Sequence, residues 1–428
     1  MDTMKPIHYR TLVLALVAAC ASATLRAEGY GIYDAKVMAL GGSGTAIADS
    51  GAAVFYNPAL LAQYDYDEDR GHHGSFYFPT LALQLAEVAE DIQDIDDDQL
   101  ADNLSDSVAA FNAAPGAANA GGVVDASSAL LSSLNQIKGS SLFVDGFLGV
   151  AIAEPGERQG GAFYWGARVI GDGDLSSIEQ ADLDLLADYV EGLDFIATGG
   201  QSGTAHPELF NADGTLVDPR DNLISSAQAV GAVANELGVA VAKEVSLWGQ
   251  PVAFGFTPKI MVLKTYDSYL DVSGNSVETG ESSAWQRKLS ADLGVATRVG
   301  HWNFAFTWKD VARHVLATPL ERELTIDSKP RLGIGYFGDR FKLGFDYDLV
   351  PITSAAGHRE IQEWALGAEW QVLAPLALRV GYRQDLEDTR GDVISYGVGL
   401  ELGRFLMDAA FAESDDLLAA ALQFGYRI

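Results

Sequence analysis

The chain carries a single cysteine, Cys20, in 428 residues. Disulfide frameworks, paired-thiol redox chemistry and cysteine-ligated metals are thereby excluded from everything that follows it. Basic residues are also scarce. There are 28 Lys and Arg against 59 Asp and Glu, a formal net charge of −31. A polyanion meets too little counter-charge on such a chain, which excludes nucleic acid as a partner. No run of 18 apolar residues occurs outside the N-terminus, so no spanning helix is expected in the mature protein. Signatures of chemistry are missing as well. There is no H-E-x-x-H, no G-x-S-x-G, no Gly-Lys-Ser/Thr phosphate loop and no EF-hand spacing. The expectation is a protein that is not an enzyme and holds no cofactor and no metal.

What is abundant is apolar surface and glycine: 48% of residues are hydrophobic and 45 are Gly. That combination suits a large β structure. At the N-terminus, Lys5 and Arg10 precede the apolar stretch Thr11–Ala19, and small residues follow. Residues 1–27 read as an export signal, with cleavage after Ala27 or Ala23; Val17-Ala18-Ala19-Cys20 also fits a lipoprotein site.

Downstream, strict alternation dominates. Phe341, Leu343, Phe345 and Tyr347 alternate with Lys342, Gly344, Asp346 and Asp348. Trp302, Phe304, Phe306 and Trp308 do the same against Asn303, Ala305, Thr307 and Lys309. This is the half-buried strand pattern. Aromatics at strand ends (Trp302, Trp308, Tyr347, Trp364, Trp370, Tyr382) and strands of roughly 8–12 residues favour a transmembrane barrel over a soluble sandwich. A closed barrel is also the one all-β way to satisfy every backbone group in lipid.

About 14 strands are expected between residues 75 and 428, an even count. Their connections sort by length. Short turns such as Gly300-His301 and Gly403-Arg404 alternate with long loops at 86–140, 171–227, 264–284 and 310–330. That places both chain ends on the short-turn, periplasmic side of a bacterial outer-membrane barrel and the long loops outside the cell. The final strand, Leu418–Ile428, resembles the signal by which such proteins engage the barrel-assembly machinery. The expected organisation is a signal peptide (1–27), an N-terminal plug or hatch (28–73) and a barrel (74–428) with extracellular loops at 86–140 and 171–227.

The segment Gly41-Gly42-Ser43-Gly44 invites a phosphate-loop reading. However, no strand precedes it, and the dinucleotide spacing fails at Ile47. Small residues instead allow close backbone packing inside a crowded lumen. Ala39–Asp49 (ALGGSGTAIAD) followed by Ala53–Ala59 (AVFYNPA) resembles the N-terminal hatch of the FadL-type superfamily. Within that superfamily the long Ala- and Asp-rich insertions are most similar to the TraF-labelled, conjugal-transfer group. The resemblance implies a 14-stranded outer-membrane barrel of a diderm, Gram-negative bacterium. It also implies passive uptake of hydrophobic small molecules, fatty-acid-like, through a luminal hatch formed by Gly41, Gly42, Gly44, Asp49, Tyr56, Asn57 and Pro58. The chain has no cysteine pair, so it implies no thiol chemistry. The alternative is a non-transport surface or scaffold barrel tied to a conjugation or secretion apparatus; an outer-membrane enzyme is a third reading.

Three further constellations stand out. Ile92, Ile95 and Leu104 in the first long loop, and Leu186, Tyr189 and Leu193 in the second, lie near helical spacing. Their apolar faces form either a ligand groove for a hydrophobic small molecule or a cap packed on itself. Lys288, Asp292, Arg298, Lys342, Asp346, Arg379 and Arg383 face the lumen by strand parity and form either mutual ion pairs or a conduction path. The acidic run Asp94–Asp98 reads as a solvated outer face, able to bridge to lipopolysaccharide through divalent cations. Outer-membrane lipid and lipopolysaccharide are the expected surroundings.

Overall fold

Period-2 alternation sends successive side chains to opposite faces of a strand. In the computed structural model, 14 such strands close into one antiparallel barrel. The structure describes residues 30–63, 74–86, 99–175, 177–201, 205–271, 276–282, 285–353, 360–415 and 417–428. The expected signal peptide with Cys20, the run Asp94–Asp98, and Ile92 and Ile95 lie outside the described residues.

The strands are β1 (Ser75–Ala86), β2 (Ser141–Glu154), β3 (Gln159–Asp174), β4 (Ser226–Leu247), β5 (Gln250–Asp271), β6 (Gln286–Val299) and β7 (Trp302–Lys309). They continue with β8 (Lys329–Phe337), β9 (Phe341–Asp348), β10 (Glu363–Leu373), β11 (Leu376–Asp385), β12 (Val393–Leu402), β13 (Phe405–Ser414) and β14 (Leu417–Arg427). Each pairs with its neighbours in sequence, and β1 closes on β14 with Phe76 opposite Tyr426. Gly74 and Ile428 exchange backbone hydrogen bonds, so both ends of the barrel chain meet at the short-turn rim.

The outer face is apolar: Leu289 is 69% exposed, Trp302 49% and Phe304 45%. The inner face is small or charged and buried. No helix among the described residues is long and apolar enough to cross a membrane.

Two expected loops are more ordered than the sequence indicated. β4 and β5 each run 22 residues, about 70 Å at ~3.3 Å per residue, well past a bilayer core. The upper part of β5 pairs with a further strand, Ser276–Glu281, so 264–284 is largely sheet. Within 310–330, His314–Ala317 and Glu323–Ile326 form a hairpin. Its Leu316, Leu324 and Ile326 pack with Ile170, Val230 and Met261 on the inner wall.

The plug, residues 30–63, occupies the lumen. It contains two short helices, α1 (Ala35–Ala39) and α2 (Ala53–Tyr56), then a 3-10 turn at Pro58–Ala62. Above it, three helices from the first two long loops form a cap: α3 (Leu100–Ala113), α4 (Ala117–Ile137) and α5 (Gln180–Ala197).

Candidate functional site: the plug seat and the lumen

The plug's small residues meet small residues on the wall. A Cβ on Gly381 would lie 2.0 Å from the Gly41 nitrogen, and one on Gly367 would lie 2.6 Å from the Leu40 oxygen. On the opposite wall, a Cβ on Gly294 would lie 2.1 Å from Asn57 Oδ1 and one on Gly255 2.3 Å from the Ala59 nitrogen. These glycines are register neighbours across the sheet: Gly255 pairs with Gly294, Gly344 with Gly367 and Gly367 with Gly381. The plug backbone therefore lies directly on the barrel backbone, a contact any side chain there would prevent. Gly41 and Gly42 also adopt φ of +69° and +98°, the left-handed region open to glycine.

Polar groups complete the seat. The Gly41 N–H donates to Ser395 Oγ at 3.0 Å, and the Gly44 and Thr45 N–H groups donate to Asp346 Oδ2 at 3.0 and 2.9 Å. Asn303 donates to the Ala46 carbonyl at 2.9 Å, and Thr307 donates to the Tyr56 carbonyl at 3.0 Å. Tyr56 Oη accepts from the Tyr33 and Asp34 N–H groups. Asn57 donates to the Thr45 carbonyl and accepts from the Ala59 N–H, beside Pro58. All seven residues expected in the hatch thus lie in one buried or half-buried assembly; Asp49, at its lower edge, pairs with Lys36 at 2.7 Å.

Three ion clusters tie plug to wall. Lys36 also reaches Glu369 at 3.1 Å, and Glu369 binds Lys342 at 3.1 Å and Arg379 at 2.7 Å. Arg379 continues to Asp408 at 2.6 Å. Arg331 clasps Asp348 through two nitrogens at 2.5 and 3.0 Å, donates to the Gly42 carbonyl at 3.3 Å and lies 4.0 Å above the Tyr30 ring. Lys259 bridges Asp292 and Asp310 at 2.9 and 2.5 Å, while Lys309 donates to the Phe55 carbonyl and sits 4.4 Å from the Tyr33 ring centre. Arg383 pairs with Glu363 at 3.4 Å and donates to Gln84. Of the expected lumen charges, Asp292, Lys342, Asp346, Arg379 and Arg383 enter these clusters. Arg298 lies over the Phe337 ring at 4.6 Å, and Lys288 sits half-buried nearer the long-loop end.

The hubs Lys36, Arg331, Lys259 and Glu369 were not singled out from the sequence. Strand parity carried a usable signal for the wall members: Glu363 and Glu369 fall on the buried set of β10, which alternates with exposed Leu366 and Trp370. Nothing local marks Lys36.

Asp34 caps α1 by accepting the Val37 N–H at 2.8 Å, and its other oxygen has no hydrogen-bond partner. Burial pushes its carboxyl up to about 7. The folded plug therefore binds a proton that the unfolded chain releases near its ordinary value. The associated stability is present in acid and lost as pH rises through about 7. Asp34→Asn, which keeps the capping oxygen, should abolish this dependence. Hydrogen exchange of residues 34–40, corrected for its intrinsic rate, should speed up between pH 5 and 8.5 in the parent and stay level in the variant. Equal slopes would refute it.

Above the plug one side of the lumen is apolar, while Gln84, opposite Ala419, donates to Asp145 and accepts from Arg383. Ala82, Ala410, Ala412, Leu417, Ala419 and Ala421 face inward and form one continuous buried cluster with Met38 of the plug and with the cap helices. Leu104, Leu186, Tyr189 and Leu193 belong to this cluster and are at most 1% exposed. Their apolar faces pack on each other and on α4, so at these four residues the structure has a closed core where an open groove was one of two expectations. Below the plug lies a cavity of ≈ 310 Å³ at the short-turn mouth, lined by Lys36, Asp49, Lys342, Glu369, Arg379 and Arg427 among others.

Against solved structures, the chain is similar to a mutant of TodX, a monoaromatic hydrocarbon channel, at 10% identity and TM-score 0.48, covering 92% of this chain and 99% of that one. It is similar to CymD, a monoaromatic hydrocarbon channel, at 11% identity and TM-score 0.47, covering 93% and 98%. The Pseudomonas putida toluene transporter TodX gives 10% identity and TM-score 0.43, covering 94% and 98%. No curated protein matches the chain. A family model matches residues 54–348, from the plug through β9, and by that match the chain belongs to the family described as the F plasmid transfer operon TraF protein.

Proposed function

We propose that the protein is an outer-membrane passage for hydrophobic small molecules, gated by its plug. One observation carries the reading: the apolar cluster runs unbroken from the cap helices along the alanine-rich inner wall of β1, β13 and β14 to α1 of the plug. A barrel that needed only to be filled could use paired charges there, as it does around Arg331, Lys259 and Glu369. Alanine keeps that wall both apolar and recessed. Hydrophobic compounds of fatty-acid-like or smaller size would enter from the cap and rest against Met38. Movement of residues 41–49 would then join this seam to the charged chamber below. In this reading the long loops face outward among lipopolysaccharide, lipid surrounds the barrel, and the barrel-assembly machinery engages β14.

A second reading has one observation in its favour. The plug is held by three clusters of buried ion pairs, as suits a permanently sealed barrel that presents its loops to a conjugation or secretion apparatus.

The test is to purify the protein in mild detergent, extract it with organic solvent and analyse the extract by mass spectrometry. Passage predicts a stoichiometric hydrophobic compound that is lost in Ala419→Glu, provided the variant keeps its heat-modifiable band. Bulk lipid alone, in the amount an unrelated barrel carries, would overturn the passage reading in favour of the sealed scaffold.

A further inference from the structure

The outer end of the cap holds a group of side chains that neither reading above uses. Asp188 lies on α5; His206 and Glu208 lie on the turn that follows it. One ligand atom from each falls within 4.8 Å of the other two. His206 Nδ1 is 2.9 Å from Glu208 Oε1 and 3.7 Å from Asp188 Oδ1. A cation about 2.1 Å from each donor would set neighbouring donors about 3–3.5 Å apart, so these spacings need only small rotamer adjustments. The other ring nitrogen faces a fourth group, with Nε2 3.7 Å from Glu191 Oε2. That is the arrangement in which a carboxylate orients a metal-bound imidazole.

The scaffold beneath is firm. Asp188 and Glu191 are three apart on α5 and so share a face. Gly192 lets the turn approach that helix: a Cβ there would lie 3.2 Å from the His206 Cβ. Leu209 and Leu193 anchor turn and helix in the cap core at 2% and 0% exposure. No lysine or arginine occurs in the sequence between Arg168 and Arg220.

We propose that Asp188, His206 and Glu208 form a divalent-cation site of the zinc class, with Glu191 positioning the imidazole. One nitrogen and two carboxylate oxygens suit Zn²⁺ and its first-row neighbours better than Ca²⁺ or Mg²⁺, which prefer all-oxygen shells. Facing the long-loop side, the site takes its cation from outside the barrel and clamps the 205–209 turn to α5.

The experiment is calorimetric titration of the detergent-solubilised full chain with ZnCl₂ in the presence of millimolar Ca²⁺, paired with visible absorption after Co²⁺ loading. The expected result is one saturable equivalent per chain, lost in His206→Gln and Asp188→Asn and unchanged in Asp184→Asn on the same helix. Glu191→Gln should weaken it about tenfold and shift the Co²⁺ bands, which a purely structural role would not do. All these positions are at the surface, so the heat-modifiable band should persist in every variant. Absence of saturable binding, or binding unchanged in both His206→Gln and Asp188→Asn, would overturn the proposal and reduce the group to an imidazolium held among surface carboxylates.

Discussion

A barrel lacking residues 30–61 should conduct in planar bilayers where the full chain is silent. Closed barrels of this size enclose side chains or a modest lumen, and here the middle of that lumen is filled by plug backbone. Gly381→Val tests the same contact without removing any chain. Its Cβ would meet the Gly41 nitrogen at 2.0 Å and the Leu40 carbonyl carbon at 2.3 Å, both backbone atoms with no rotamer to yield. The plug must then retreat from β11. Exchange of residues 36–49 should accelerate at least tenfold, about 1.4 kcal/mol in the local opening equilibrium, and conductance bursts should appear. Gly161→Ala is the control, since its Cβ would have only an ordinary 3.5 Å contact. A deletion that folds yet stays silent would assign the seal to the cap helices. A Gly381→Val protein with parental exchange would contradict the seat itself.

Arg331→Met should give the largest loss of stability from a single side chain. The guanidinium is 2% exposed and faces Asp348, with Asp346 and Glu363 at 3.9 and 3.8 Å. Removing it leaves three buried carboxylates without their shared cation. Deleting one partner of a buried pair commonly costs about 3–5 kcal/mol. It also removes the donor to the Gly42 carbonyl and the cation above Tyr30, so the plug should loosen together with the wall. Urea unfolding in liposomes reads the first effect and exchange of residues 30–45 the second. Arg331→Met combined with Asp348→Asn should recover part of the loss, because one of the stranded charges is then gone. An Arg331→Met barrel within about 1 kcal/mol of the parent would mean that protonation or Arg383, not Arg331, neutralises that cluster.

Much of this architecture was legible before any coordinates. The alternation at Trp302–Lys309 and Phe341–Asp348 marks strands because the period is local, needing no knowledge of partners. Loop lengths then sort the two rims. The small-residue segment Gly41–Gly44 was recognisable as something packed closely. Other features were legible yet missed. Ala120, Val123, Ser127, Leu130, Leu134 and Ile137 form the buried stripe of α4 at alternating spacings of three and four. The glycines and serines among them lower helix propensity and obscure that stripe. The overrun of β4 and β5 and the hairpin at 314–326 were hidden because strand length beyond the bilayer is set by what packs on it, here Leu316, Leu324 and Ile326.

The strand number, the apolar outer face and the presence of a small-residue plug follow from sequence alone, since each rests on residues adjacent in the chain; closure was expected because an open sheet edge is not satisfied in lipid. Which wall glycine receives which plug atom does not. Gly41 finds Ser395 across 354 positions and Lys309 finds Phe55 across 254, and no local pattern specifies either pairing. The same holds for Lys36, whose partners Asp49 and Glu369 come from opposite ends of the chain, and for His206, whose carboxylates are gathered by a turn folding back on α5. Alternation shows which way a side chain points; only closure of the barrel decides what it meets there.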